Sequence, residues 1–131
     1  MMNRLQLRSL AALSIAFGAC TSPMESFGCT ANEVPAIVVS VIDSVTRASR
    51  LDSASVVVTA PGFVEALTTP FGLDSLHRPA SVQGVWERAG TYAVSVRRAG
   101  YGDWAAANLV VSRSTCHVST VTITALIQPL P

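Results

Sequence analysis

The most reactive side chains of this sequence belong to three cysteines, Cys20, Cys29 and Cys116, and two histidines, His77 and His117. Cysteine with histidine can make a thiolate nucleophile or a zinc site, so spacing decides which chemistry is open. Cys116 and His117 adjoin in "CHVSTVTITALI", a run rich in β-branched residues. Neighbours in a strand point to opposite faces, which separates that thiol from that imidazole and leaves His117 a surface or rim residue. His77 lies in the loop-like "HRPAS" with no second ligand at metal-site spacing. No serine sits in a G-x-S-x-G elbow. Asp43, Asp52, Asp74 and Asp103 stand beside turn signals, where Asp bonds its own backbone; a calcium site in such loops is the other reading. No catalytic, metal or cofactor site is expected from these residues, and no enzyme. The aromatics leave two readings open: Tyr101 and Trp104, in "GYGDW", form either a platform for a sugar or partner chain or a cap over the core. Trp86, in "GVWER", is read as structural.

The cysteines sort themselves by position. The start, "MMNRLQLRSLAALSIAFGAC", carries Arg4 and Arg8, no acid, an apolar stretch from about Leu10 to Phe17, then Gly18 and Ala19. That is the layout of a signal peptide over residues 1–19, and its apolar core is about half of the ~20 residues a membrane span needs. Removing it leaves seven arginines against eight acids, without the basic surface that nucleic acid requires. Residues 20–33 read as a tether, and 34–131 as one domain. An odd cysteine in an exported chain needs a separate role. Cys29 precedes the first strand pattern and Cys116 opens the last, so a bridge between them ties the two ends of the domain together. Cys20 is then left over. Phe17, Gly18 and Ala19 before it resemble the bacterial lipobox, with Phe17 where leucine is usual, which implies a diacylglyceryl-modified Cys20. Simple cleavage after Gly18 or Ala19 is the alternative. Thr21 is not the aspartate that retains many lipoproteins at the inner membrane, so resemblance places the product at the outer membrane.

The elements that carry these residues are strands. "PAIVVSVID", "SASVVVTAP", "SVQGVWER", "GTYAVSVRR", "AAANLVVSR" and "CHVSTVTITALI" are β-branched runs bounded by turn residues. In "TYAVSVRR", Tyr92, Val94 and Val96 share one face, the mark of a strand buried on one side. In the last run Val118 is out of phase with Val121, Ile123, Ala125 and Ile127, which predicts a bulge or a change of sheet near Ser119 and Thr120. "RAG" at Arg88–Gly90 and "AGYGD" at Ala99–Asp103 read as hairpins with glycine in the turn. Between Gly62 and Ser81 the pattern predicts one strand through Phe63–Leu67, then irregular chain broken by Pro70 and Pro79. The expectation is an all-β, antiparallel sandwich of six or seven strands, Ig-like in its spacing.

From Pro35 onward the motifs resemble carboxypeptidase regulatory-like domains, a prealbumin-like (transthyretin-like) β-sandwich family. Its "D-x-x-T-G-x-P" turn is matched by Asp43 and Thr46, with Arg47 and Ser49 in place of the glycine and proline. Its "G-x-Y-x-V-x-V-x-x-x-G-Y" pattern is met by Gly90, Tyr92, Val94, Val96, Gly100 and Tyr101. The resemblance implies a non-enzymatic spacer, folding aid or contact module, with a protein or carbohydrate partner and a membrane reached through the lipid. A secreted accessory or inhibitor domain, or a small carbohydrate-binding module, acting through residues 62–81 or through Tyr101 and Trp104, is the alternative.

Overall fold

A computed structural model describes residues 28–131. The signal peptide read at 1–19, Cys20, and the tether up to residue 27 lie outside the described residues. The rest forms eight strands: β1 (Pro35–Asp43), β2 (Ser55–Ala60), β3 (Phe63–Ala66), β4 (Thr69–Leu73), β5 (Pro79–Trp86), β6 (Gly90–Arg97), β7 (Trp104–Val111) and β8 (Val121–Ile127). They make two four-stranded sheets, ordered β4-β5-β1-β8 and β3-β2-β6-β7. The fold is the expected all-β sandwich.

Valine supplies most of the core, because a β-branched side chain fills a pleated face at little rotamer cost. Ile37, Val39 and Val41 of β1, with Ala125 and Ile127 of β8, belong to one buried cluster with Val56 and Val58 of β2 and Val94 and Val96 of β6. Tyr92, Val94 and Val96 are buried while Ala93 and Ser95 between them are half-buried, as the period of two requires.

Three features depart from the pattern read in the sequence. An eighth strand, β4, occupies the stretch expected to be irregular, with Pro70 opposite Val82. β4 is a sheet edge, where a residue without an N–H leaves no ladder bond unmade. Its turn into β5 is closed by Asp74, whose Oδ1 accepts the N–H groups of Leu76 at 2.8 Å and Arg78 at 2.9 Å. The Arg88–Gly90 stretch is a crossover between sheets, since β5 and β6 lie in different ones. Its left-handed residue is Glu87, at φ 50, rather than Gly90. β1 and β8 run parallel, from Ile37↔Val121 to Asp43↔Ile127, so the first and last strands are neighbours. Val118 is out of phase because the chain changes sheet: it bridges Arg113, beyond the end of β7, before β8 begins in the other sheet. The Ala99–Asp103 turn is the predicted hairpin between β6 and β7, with Gly100 at φ 80.

Candidate functional site

The strand directions gather the polar side chains at the two ends of the sandwich. At one end lie the turns after β1 and β6 and the chain after β8. Asp43, the last residue of β1, faces inward and is 2% exposed. Its Oδ1 accepts the N–H groups of Val45 at 2.8 Å and Thr46 at 2.9 Å, the self-bonding turn expected of this aspartate. The Tyr101 hydroxyl donates to Asp43 Oδ2 at 2.8 Å and accepts from Arg50 Nε at 2.7 Å. The Thr46 N–H, with the Tyr101 hydroxyl and the Val45 N–H, outweighs burial and lowers the Asp43 carboxyl from 3.8 to about 2. Tyr101 is thus the link between an aspartate and an arginine, and Trp104, at the start of β7, packs half-buried against the core. Trp86 closes β5 with 38% of its surface exposed.

Beside this end β1 and β5 part company after Val39↔Val82, and the strand edge of β1 is taken over by Ser49, which bridges Ile42. The gap is a cleft of about 290 Å3 walled by Leu51, Thr68, Pro70, Pro79 and Val82, with the Asp74–Arg78 ion pair at 2.9 Å on its rim. The N–H of Arg78, its guanidinium and the N–H of Leu76 together hold the Asp74 carboxyl below its ordinary value, against the effect of burial. Residues 62–81 therefore form β3, β4 and the beginning of β5, and supply one wall of this cleft.

The opposite end holds the disulfide. Cys29 and Cys116 are bonded, with Cα atoms 5.3 Å apart. Each cysteine is followed by a polar residue, and these meet: Thr30 Oγ1 lies 3.0 Å from His117 Nε2. On the other side of the ring, His117 Nδ1 lies 2.6 Å from Glu87 Oε1, which also accepts the N–H of Val34 at 2.8 Å. Glu87 Oε2 is buried without a hydrogen bond and faces Arg113 Nη1 at 3.8 Å, while the same guanidinium donates to the Glu87 carbonyl. Burial works to raise the Glu87 carboxyl, but the bond from His117 and the Val34 N–H win, and the group is held below its ordinary value. An ionised carboxylate only accepts, so Nδ1 carries the proton; in the neutral ring Nε2 then accepts from the Thr30 hydroxyl, a tautomer assigned from these bonds. His117 lies at the rim as read, but with both ring nitrogens engaged. A cavity of about 290 Å3 opens over this group, lined by Thr30, Glu33, Glu87, Arg113 and His117 among others.

Glu87 drew no attention in the sequence. Its only signal was a charged residue inside an apolar strand pattern, "GVWER", just before a turn. Among the described residues no three of His, Cys, Asp and Glu gather to hold a metal ion. Compared with known proteins, the chain matches no family model, and no curated protein matches it.

Proposed function

We propose that this chain is a lipid-anchored protein of the bacterial envelope, held by an acylated Cys20 and presenting one β-sandwich as a binding or structural module. The observation that carries the reading is the Cys29–Cys116 bond. Two of the three cysteines of this sequence are joined, which sets Cys20 apart from them, and it follows an apolar run ending in small residues. A disulfide is also compatible with an exported protein. From Cys20 to Cys29 the chain reaches roughly 30 Å at full extension, so an acylated Cys20 would tether the sandwich by its disulfide end. The outer membrane is the proposed location, on the strength of Thr21.

The motifs shared with carboxypeptidase regulatory-like domains support the module reading. Arg47 stands where that pattern has glycine and adopts φ 62, the left-handed conformation a glycine there would serve. The cleft beside β4 and β5 favours a second reading, a secreted accessory, inhibitor or carbohydrate-binding domain acting through residues 62–81 or through Tyr101 and Trp104. Both readings take a protein or carbohydrate partner. They part on one experiment: metabolic labelling with a fatty acid, comparing the native chain with Cys20→Ser. Label on the first and none on the second supports the anchor; an unlabelled native protein removes it and leaves the secreted domain.

A further inference from the structure

Cys29–Thr30 and Cys116–His117 are two dipeptides stapled through their cysteines, so that the hydroxyl after one meets the imidazole after the other. We propose that Thr30, His117 and Glu87 form a hydroxyl–imidazole–carboxylate relay, and that this end of the sandwich hydrolyses small activated carboxylic esters through an acyl-Thr30 intermediate.

The order of contacts is the one such chemistry needs: Thr30 Oγ1 at 3.0 Å from Nε2, and Glu87 Oε1 at 2.6 Å from Nδ1 of the same ring. A carboxylate on Nδ1 fixes the tautomer and leaves the Nε2 lone pair facing the hydroxyl. Glu87 is placed there at a cost, since its φ of 50 lies in a region that a non-glycine residue avoids. Its carboxylate is further held by the Val34 N–H. The relay opens onto a shallow surface depression walled in part by Arg113, whose guanidinium is engaged with Glu87. The disulfide limits how far Thr30 and His117 can separate, a form of preorganisation.

The chemistry balances with water as the second substrate. Thr30 Oγ attacks the ester carbonyl carbon while its proton passes to His117 Nε2. The bond to the alcohol oxygen breaks, and that oxygen takes the proton from Nε2, leaving the acyl group on Thr30. Water then attacks the acyl carbon, giving one proton to Nε2; the carboxylic acid departs and Thr30 Oγ recovers its proton. Thr30 and His117 are the catalytic residues, and Glu87 is a positioning residue acting through the ring.

The test uses the full oxidised chain and p-nitrophenyl acetate. Release of p-nitrophenol is expected to fall at least about tenfold in Thr30→Ala and in His117→Ala, with Thr30→Ser retaining activity. Glu87→Gln is expected to lower kcat while leaving KM within about twofold, whereas a merely structural loss would reduce the active fraction and be visible as altered circular dichroism. Peptide mapping of the native protein quenched during turnover should place an acetyl group on Thr30, a result that does not depend on any variant folding. A Thr30→Ala chain as fast as the native one, or acetyl found on His117 and not on Thr30, overturns the proposal. The anchor at Cys20 is untouched by either result, because the relay goes beyond the module reading and does not rest on it.

Discussion

Replacing Cys29 and Cys116 together with serine opens a loop of 87 residues that encloses nearly the whole sandwich. In the chain-entropy description a closure of that length restricts the unfolded ensemble by about 4.5 kcal/mol at 25 °C. Domains of this size are stable by 5 to 15 kcal/mol in general, so the double variant should lose roughly a third or more of its stability. An unfolding entropy of about 0.2 kcal/mol per kelvin for roughly 100 residues converts this to a fall in Tm of about 20 °C. The m-value should rise as well, because the uncrosslinked chain unfolds to a more expanded state. Guanidinium titration followed by the fluorescence of Trp86 and Trp104, with the double variant beside the oxidised native chain, measures both. Serine at both positions avoids leaving a lone thiol that forms dimers. A loss below about 1 kcal/mol with unchanged m would refute the reasoning, and would mean that the segment around Cys29 places no real constraint on the unfolded chain.

Asp43 sets the acid limit. Its folded carboxyl titrates at about 2 against an ordinary 3.8, so the unfolded chain takes up its proton first as pH falls. Its stabilisation is complete above about pH 4 and lost on the way down to about pH 2; Asp43→Asn should be less stable at neutral pH and flatter across that window in pH-dependent urea melts. A slope in that window equal to the native one would show that another carboxylate is responsible. Gly84→Ala puts a methyl group against the Glu65 carboxylate and 2.6 Å from Leu67 Cδ2. Glu65 holds the Val85 N–H at 3.0 Å, so the carboxylate cannot swing away freely, and a loss of about 1 to 3 kcal/mol by denaturant titration is expected. A neutral result would mean that Glu65 relaxes at no cost.

What the sequence disclosed follows from which signals are local. The period of two in β6 and β8, the turn at Gly100 and the position of Cys29 ahead of the first strand and Cys116 ahead of the last are written in neighbouring residues. Three things are not. Pro70 speaks against a strand only if its N–H would have been needed, and whether it sits at an edge is decided by the other strands. Arg88–Gly90 has hairpin composition, yet the same residues serve a crossover, because the left-handed turn can be taken by Glu87 one residue earlier. The parallel pairing of β1 with β8 has no local mark at all. The same limit hid the relay. Cys116 and His117 lie in the bend before Val118 rather than in the last strand, which begins at Val121, so the expected alternation does not apply to them; and no local pattern speaks of Glu87, 30 residues away, or Thr30, 87 residues away, which approach the ring from other parts of the chain.

The pairing of β1 with β8 also imposes a timetable. β1 lies between β5 and β8, and its contact with β8 joins residues separated by most of the domain. A chain that emerges from its N-terminus, whether from a ribosome or through a membrane pore, therefore carries β1 with one bare edge until residue 127 has come out. The half-built sheet must be kept from other strands for that whole interval, and the loop between Cys29 and Cys116 cannot close before most of the domain has appeared. Contacts this distant in sequence slow the search for the native arrangement. Completion of the sandwich is thus the last event of emergence, and a truncation that removes β8 deprives the first strand of its partner as surely as it removes the last.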